Sequence, residues 1–410
     1  MKSERSLLVF QMLSFTLIGG MGTFMNFINL YLEQELGFTG SQIGIITMIS
    51  MGLIIVVNPI FGYIGDKTGK HVLMLKIAFL SATFFIFLYS QVTTFAVVLA
   101  VAILFEISRA CIAPFFDLIT SNYCARVNFD FGKVRVFSSI GFMITVMSVG
   151  FIIAGLRIPL PGGSLIGFEG FLSIRAAVFG TIIIFLLLSF ALMFFLPKQA
   201  SQKQQSGVKD KFTSADILNL LKNKKYQFIL VFIVLSLVAL ESAKSFMGNH
   251  LVVGLGSAEN ILSIMTFMMV FPEVILLPIG SKIIRRVGIK KWYLFSSLTM
   301  IIRMIVYSMT HNVFLFAVVS AVHGIGVMTH ISGNIPFIRK IVEPKVLGLA
   351  FTVMVSVLAF SRAILSFVFG VLYETYDGFV VFRVATGLLI LGFLWILRSK
   401  SLNEMERSDI

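Results

Sequence analysis

The sequence predicts an all-α membrane protein with twelve transmembrane helices arranged as two six-helix bundles. Hydrophobic residues make up 58% of the chain and charged residues only 13%, whereas soluble domains average roughly 45–50% and about 25%. Apolar runs repeatedly reach about 20 residues, the length that crosses a bilayer. One long polar stretch divides these runs into two sets of six.

The apolar runs define twelve predicted spans, numbered in chain order. They lie near residues 6–32, 41–64, 71–91, 94–121, 133–156, 171–196, 226–251, 259–283, 291–310, 313–337, 346–371 and 378–398. The first run is longer than the core of a signal peptide and lacks an Ala-x-Ala site, so we expect an uncleaved first span.

The dividing stretch reads "LPKQASQKQQSGVKDKFTSADILNLLKNKKY", and its Gln, Ser and Lys content is typical of a linker. We therefore predict an N-terminal six-helix bundle over 1–196, a cytoplasmic linker over 197–225 and a C-terminal six-helix bundle over 226–410. The segment "LPIGSKIIRRVGIKK" after span 8 partly repeats "NPIFGYIGDKTGKH" after span 2, which indicates two similar halves.

Basic residues are distributed unevenly about the membrane. The net charge is +14, but most Lys and Arg residues fall in segments on one side, and Arg157 and Arg175 lie on the other. By the positive-inside rule, both termini are expected in the cytoplasm. Because no basic patch stands apart from these short loops, we predict no nucleic-acid partner.

The sequence gives no indication of an enzyme. It has no nucleophile–base arrangement and no glycine-rich phosphate loop. Cys111 and Cys124 form neither a disulfide framework nor a metal-binding motif. We therefore predict neither a metal nor a cofactor.

The loop after span 2 carries the motif of a transporter superfamily. "GYIGDKTGKH" fits Gly-x-x-x-Asp-(Arg/Lys)-x-Gly-(Arg/Lys) and resembles the motif of the major facilitator superfamily between its helices 2 and 3. We expect Gly62 to permit close helix approach, Asp66 to cap a helix or pair with a cation, and Gly69 to form the turn. Lys67 and Lys70 are expected to hold the loop at the cytoplasmic surface.

Within that superfamily the chain resembles the oligosaccharide–proton symporters, typified by lactose permease, with the nucleoside–proton symporters close behind. "FGKVRVFSSIGF" resembles the start of the family's helix 5, where the second basic residue, Arg135, binds sugar hydroxyls. The resemblance places the family's sugar-binding acid at Asp117 and its stacking aromatic at Phe142. It places an essential acid at Glu273. On spans 9 and 10 it places the family's arginine and histidine at Arg303 and His323.

The chain also departs from the family at named positions. Gly326 stands where the family carries a proton-handling glutamate. The lysine expected on span 11 has no match in register, although Arg362 lies one turn away. The resemblance implies a bacterial plasma membrane and, as partners, a small solute and a proton. For the oligomeric state a monomer is the default expectation.

The charges within span 4 require a polar environment, because a charge at the bilayer centre costs about 2.5–3.5 kcal/mol on insertion scales. Glu106 and Asp117 are separated by close to three turns of a continuous helix, so they would share one face. Arg109 follows Glu106 at i+3 and can pair with it. We interpret this face as lining an aqueous cavity; a buried pair that holds span 4 to a neighbour is the alternative.

Further ionisable residues lie in spans 7 to 10. Glu241 and Lys244 form a second i, i+3 pair. Glu273 follows a proline in an otherwise uncharged span, so it can carry a proton reversibly, with Arg303 stabilising its ionised form. His323 is the other candidate proton carrier, since histidine titrates near neutral pH.

Neutral amides supply hydrogen-bonding groups suited to hydroxylated solutes; they are Asn26, Asn29 and Asn249. Such side chains also bridge helices in bilayers. The leading hypothesis is proton-coupled uptake of a sugar or similar solute by alternating access. Drug–proton antiport is the alternative, although span 5 lacks the Gly-x-x-x-Gly-Pro-x-x-Gly-Gly run of such exporters. A membrane sensor on the same fold is a third hypothesis.

Overall fold

The computed structural model describes residues 2–159, 165–197, 214–343 and 346–399, and almost all of these residues are helical. The N-terminal spans are α1 (Lys2–Gln34), α2 (Gly40–Thr68), α3 (His71–Gln91), α4 with α5 (Phe95–Arg109 and Ile112–Arg126), α6 (Phe131–Ala154) and α7 (Ile174–Leu192) with a 3-10 turn (Met193–Phe195). A short helix, α8 (Ser214–Lys222), ends the linker region.

The C-terminal spans contain more interruptions. Span 7 consists of α9 (Lys224–Ile233), a π-turn (Val234–Val238), α10 (Ala239–Lys244), α11 (Met247–Asn249) and a second π-turn (His250–Gly254). Spans 8 and 9 are α12 (Asn260–Val287) and α13 (Ile289–Tyr307). Span 10 consists of α14 (Val313–Ser320), α15 (His323–Thr329), a π-turn (His330–Asn334) and α16 (Ile335–Ile341). Spans 11 and 12 are α17 (Leu347–Thr375) and α18 (Gly378–Leu397).

The length and apolar character of these helices fit a membrane protein. Among the described residues, nine helices are long and apolar enough to cross a bilayer, and two shorter apolar helices cover Asn260–Leu276 and Val313–Gly326. The predicted fold class is confirmed: the protein is an all-α membrane protein with twelve transmembrane helices in two six-helix bundles.

The chain divides into two compact units. Unit 1 comprises Met1–Ser206 with Gly256–Ile264, and unit 2 comprises Gly207–Leu255 with Met265–Ile410. In unit 1, α1 packs closely on α6 and α7. A Cβ at Gly19 would lie 2.7 Å from Thr145 Oγ1, and one at Gly20 would lie 2.8 Å from Phe185 Cβ. The glycines of span 1 therefore allow the helix backbones to approach closely.

Span 4 is interrupted, although the sequence predicts a continuous helix. α4 ends at Arg109 and α5 begins at Ile112. Pro114 occupies the first turn of α5, where its missing N–H leaves no helical bond unmade. The helical phase therefore changes between Glu106 and Asp117, so the angular argument for a shared face does not extend across the break.

Two short strands follow span 5, and neither is predicted from the sequence. β1 (Leu156–Pro159) pairs antiparallel with β2 (Leu165–Phe168), with Leu156 opposite Phe168. Gly155 ends span 5 with φ +76°, a conformation that favours glycine. The hairpin thus lies in the loop between spans 5 and 6.

Candidate functional site

The central feature of unit 2 is a carboxylate that three basic groups approach from three spans. Glu241 of α10 lies 3.7 Å from Lys244 Nζ and 3.8 Å from His323 Nε2. Arg362 Nη2 of α17 lies 4.0 Å from the same carboxylate. The predicted Glu241–Lys244 contact is therefore present, and it is one side of a network that joins spans 7, 10 and 11.

Arg303 extends this network through His323. The Arg303 side chain is buried, with a relative exposure of 1%, and its Nη1 lies 2.9 Å from His323 Nδ1. A guanidinium only donates hydrogen bonds, so His323 Nδ1 accepts and carries no proton. The N–H of this neutral imidazole then lies at Nε2, facing Glu241. A proton can join His323 at Nδ1 only if the contact with Arg303 opens.

Three residues of this network were missed by the sequence reasoning. Arg303 Nε donates to Tyr307 Oη at 3.1 Å, and its Nη2 lies 3.6 Å from Met269 Sδ. Tyr307 Oη and Ser320 Oγ are 2.5 Å apart. The available signal was the i, i+4 spacing of Arg303 and Tyr307 on one helix face.

Breaks in the helices position these side chains. His323 is the first residue of α15, directly after the interruption that follows α14. Glu241 lies in α10, which follows a π-turn. Such wide turns concentrate at functional sites because they re-aim side chains within a helix.

Glu273 of α12 lies beside the same network through its backbone. A Cβ at Gly324 would lie 2.7 Å from the Glu273 backbone nitrogen, so α12 crosses α15 directly after His323. The Glu273 side chain is half-buried. Asn249, also in unit 2, is fully buried on α11, one short helix beyond Lys244.

In unit 1, Glu106 and Arg109 form the predicted pair. Arg109 Nη2 lies 2.5 Å from Glu106 Oε2, and the Arg109 guanidinium lies 5.7 Å from the centre of the Phe105 ring. Both side chains are largely buried, with relative exposures of 17% for Arg109 and 6% for Glu106. The pair sits in the last turn of α4, immediately before the interruption of span 4.

Asp117 and Arg135 lie on α5 and α6, on either side of the loop that joins them. Asp117 is half-buried and Arg135 is exposed, and Arg135 is the cation whose charge acts on the Asp117 carboxylate. Asp130 caps the start of α6 by accepting from Gly132 N at 2.8 Å. The cap fixes the helix start that carries Arg135.

Phe142 and Asn26 meet at Gly22 of span 1. The Phe142 ring packs directly on Gly22, where any Cβ would clash with it. Asn26 Nδ2 donates to Gly22 O at 2.8 Å, and Asn29 lies one turn further along α1. Phe142 and Asn26 thus both contact Gly22 where α1 meets α6.

The loop after span 2 adopts the conformation that its motif predicts at Gly69. This residue has φ +67°, and its N–H donates to Gly65 O at 2.7 Å. Asp66 lies 3.4 Å from His71 Nε2 in the first turn of α3. Lys67 Nζ lies 5.8 Å from the centre of the Tyr63 ring, and Lys70 N lies 3.3 Å from Thr68 Oγ1.

The prediction that Gly62 permits a close approach between helices was wrong. Among the described residues, no atom lies within 4 Å of a Cβ built at Gly62, whereas one at Gly65 would lie 2.8 Å from His71 Cδ2 and 2.9 Å from Phe115 Cζ. The close approach therefore occurs one turn later, because the rings of His71 and Phe115 pack edge to face against Gly65.

In the part of the chain that the structure describes, no three His, Cys, Asp or Glu side chains converge as metal ligands. Cys111 and Cys124 are both buried free thiols. The polar residues of interest are therefore the charged groups and amides described above.

Comparison with known proteins identifies the family. The model of the MFS_1 like family matches residues 7–384. The maltose permease of Geobacillus stearothermophilus is 21% identical over 338 residues, which are 82% of this chain and 80% of the permease. The uncharacterized transporter YwbF of Bacillus subtilis is 27% identical over 131 residues, 32% of this chain and 33% of YwbF.

Solved structures show the same fold. The nucleoside transporter NupG superimposes with a TM-score of 0.79 at 19% identity, over 96% of this chain and 99% of NupG. A mutant of the peptide transporter POT gives a TM-score of 0.73 at 11% identity, over 97% and 95% of the two chains. The chain therefore belongs to the MFS_1 like family, and it is a multi-pass membrane transporter of the major facilitator superfamily rather than an enzyme.

Proposed function

We propose that the protein takes up a small hydroxylated solute, a sugar or a nucleoside, together with a proton by alternating access. The observation that carries the proposal is the network of Glu241, Lys244, His323, Arg303 and Arg362, in which Arg303 and His323 are buried and the other three are half-buried. Buried charges of this kind are costly in a membrane and mark ion and proton pathways. The network holds a histidine between a carboxylate and a guanidinium, so gain or loss of a proton changes its contacts.

In this proposal His323 and Glu273 carry the proton, and Arg303 stabilises the state that has released it. Gly326, which stands where the resembling symporters carry a glutamate, faces Met300: a Cβ there would lie 3.1 Å from Met300 Sδ. The space beside Gly326 is thus filled by an apolar side chain from α13. Because no carboxylate lies at this position, we assign proton transfer to His323 and Glu273 instead.

The proposed solute-binding residues are Asp117, Arg135, Phe142, Asn26, Asn29 and Asn249. Carboxylates, guanidinium groups and amides bind hydroxyl groups through paired hydrogen bonds, and an aromatic face binds the apolar face of a sugar or base. The names of a maltose permease and a nucleoside transporter among the similar proteins support a hydroxylated solute. Glu106–Arg109 is proposed as a charge pair that lines the cavity in unit 1.

We further propose two functional bundles over residues 1–196 and 226–410, joined by a cytoplasmic linker over 197–225. Residues 198–213 of this linker lie outside the described part of the chain. We propose a monomer in a bacterial plasma membrane. Both termini are placed in the cytoplasm, because basic residues concentrate in the segments assigned to that side.

The proposal is tested first by recording external pH in de-energised bacteria that express the protein. Adding maltose, lactose, glucose, uridine or adenosine in turn should alkalinise the medium for one solute class as protons enter with it. Asp117→Asn should abolish this signal, because the amide keeps the shape of the carboxylate and loses its charge. If no solute moves protons but radiolabelled solute still exchanges, the protein is a uniporter. If neither occurs, drug export becomes the better hypothesis.

Glu273→Gln tests the proton-coupling role separately. The amide cannot release a proton, so accumulation driven by a proton gradient should fall by about 10²-fold or more. Exchange of internal for external solute needs no net proton release and should continue at a similar rate. Normal accumulation by this variant would exclude Glu273 as the coupling residue.

A further inference from the structure

A second polar cluster in unit 2 lies outside the network described above. Tyr293 Oη of α13 donates to Asn334 Oδ1 at 2.7 Å, and Asn334 Nδ2 lies 2.5 Å from His330 Nδ1. His330 and Asn334 are the first and last residues of the π-turn in span 10. The three side chains therefore form a chain of hydrogen bonds from span 9 to span 10.

The hydrogen bonds define the protonation of His330. Because the tyrosine hydroxyl donates to the amide oxygen, the amide nitrogen is the atom that faces the imidazole. An amide nitrogen only donates, so His330 Nδ1 accepts and carries no proton. Turning the Asn334 amide by half a rotation would present its oxygen to His330 instead. Nδ1–H would then donate to that oxygen, and Tyr293 Oη would accept from the amide nitrogen.

Packing leaves the amide as the group that can turn. A Cβ at Gly333 would lie 2.9 Å from Tyr293 Cε1, so the tyrosine ring lies against the backbone of the π-turn. The Phe232 ring lies 5.0 Å from the Tyr293 ring and 6.3 Å from the His330 ring, measured between centres. Packing thus holds the rings of Tyr293 and His330 in place. The Asn334 amide can rotate more easily, because the last side-chain torsion of asparagine has no narrowly preferred angle.

His330 also lies within electrostatic reach of the main network. The charge of the Glu241 carboxylate of α10 interacts with His330 through space, and the charge of His330 interacts in the same way with that of His323. Seven residues of helix separate the two histidines, a rise of roughly 10 Å. Towards the end of span 10 that we place in the cytoplasm, His330 is therefore the next titratable side chain after His323.

We propose that His330 carries a proton in addition to His323 and Glu273, and that Asn334 and Tyr293 control His330 through the orientation of the amide. The proton binds at Nδ1 as the Asn334 amide turns, and its release restores the contacts seen here. His330 contacts Asn334 of its own turn and the Phe232 ring of α9. Tyr293 of α13 reaches it through Asn334, and Glu241 of α10 is the charged group that interacts with it through space. The inference rests on the proton coupling proposed above and extends it to a second site.

The test uses the full-length protein in proteoliposomes with radiolabelled maltose and radiolabelled uridine, and a pH-sensitive dye inside. In His330→Asn, the oxygen of the new amide can still accept a hydrogen bond from Asn334, but the amide cannot take up a proton near neutral pH. Proton-driven accumulation should fall at least about tenfold, while solute exchange stays within about twofold of the wild type. Unchanged accumulation and dye response would overturn the inference.

Tyr293→Phe provides a second variant that keeps the ring and its packing. Without the hydroxyl, the amide is free to present its oxygen to His330, which favours the protonated imidazole. Proton-driven uptake should therefore persist to a pH about one unit higher than in the wild type. A pH profile identical to that of the wild type would contradict the control mechanism, even if His330→Asn folds poorly.

Thr329→Val is the matched control for both variants. It is isosteric, lies beside His330, and removes the acceptor that Trp292 Nε1 contacts at 2.9 Å. Its normalised pH profile should match that of the wild type, because it leaves Tyr293, His330 and Asn334 in place. An altered profile would assign the effect to packing and overturn the inference.

If wild-type protein moves either solute without protons, the proposed function and this inference both fail. If wild type couples and His330→Asn couples equally, only the inference fails.

Discussion

Glu241→Gln should abolish transport of any solute and destabilise unit 2. Lys244, Arg362 and His323 all approach this one carboxylate within 4.0 Å. Removing the anion leaves Lys244 and Arg362 without their counter-charge. Breaking a buried pair costs about 3–5 kcal/mol, and the partial exposure of these side chains places the cost at or below the lower end of that range. Solute exchange in proteoliposomes should be undetectable, and the apparent melting temperature in detergent should fall.

The double variant Glu241→Gln/Lys244→Gln separates the two effects. Removing one cation together with the anion should recover part of the melting temperature, because fewer buried charges lack a partner. Transport should stay absent, because His323 no longer faces a carboxylate. The matched control is Glu343→Gln at an exposed position shortly after α16, which should change neither measurement. Wild-type exchange by Glu241→Gln would exclude the network as the centre of coupling.

Local pairs were predictable from the sequence because they depend only on helical periodicity. Glu106–Arg109 and Glu241–Lys244 are both i, i+3 pairs, and both contacts are present in the structure. The turn at Gly69 was predictable for a similar reason, since a left-handed residue at a helix end favours glycine. In each case the partners lie within one or two turns of each other.

Contacts between spans were not predictable in this way. The contact of Arg303 with His323 joins two spans that are separated by a loop, and only the resemblance to the symporters placed both residues among the candidates. The resemblance singled out Arg362 only as lying one turn from the lysine position of span 11, and its Nη2 lies 4.0 Å from Glu241. Tyr307 and Met269 had no such guide, because tyrosine and methionine in apolar runs are usually packing residues.

The interruption of span 4 and the misassigned glycine show a further limit. Pro114 lies inside a continuous apolar run, and hydropathy alone does not distinguish a broken helix from a straight one. Gly62 and Gly65 both lie in the motif, but only the positions of His71 and Phe115 determine which one needs to lack a side chain. Tertiary packing, which a single sequence does not specify, decides between such alternatives.

Gly324→Ala should disable transport although glycine carries no chemistry of its own. The added methyl group would lie 2.7 Å from Glu273 N, 3.0 Å from Glu273 Cα and 3.0 Å from the Pro272 carbonyl carbon. These are backbone atoms of α12, so the two helices must separate. Overpacking of this kind costs about 1–3 kcal/mol. Since the shift moves Glu273 relative to His323, a displacement of about 1 Å should lower proton-driven uptake by about 10²-fold.

Gly326→Ala is the matched control, two residues further along the same helix. Its methyl group would meet Met300 Sδ at 3.1 Å and Met300 Cε at 3.4 Å, and a methionine side chain can move aside at low cost. Uptake by Gly326→Ala should therefore stay within about threefold of the wild type, since a flexible contact costs less than a kcal/mol. Equal losses in both variants would show that α15 requires glycine for flexibility. A loss confined to Gly324→Ala would tie coupling to the distance between Glu273 and His323.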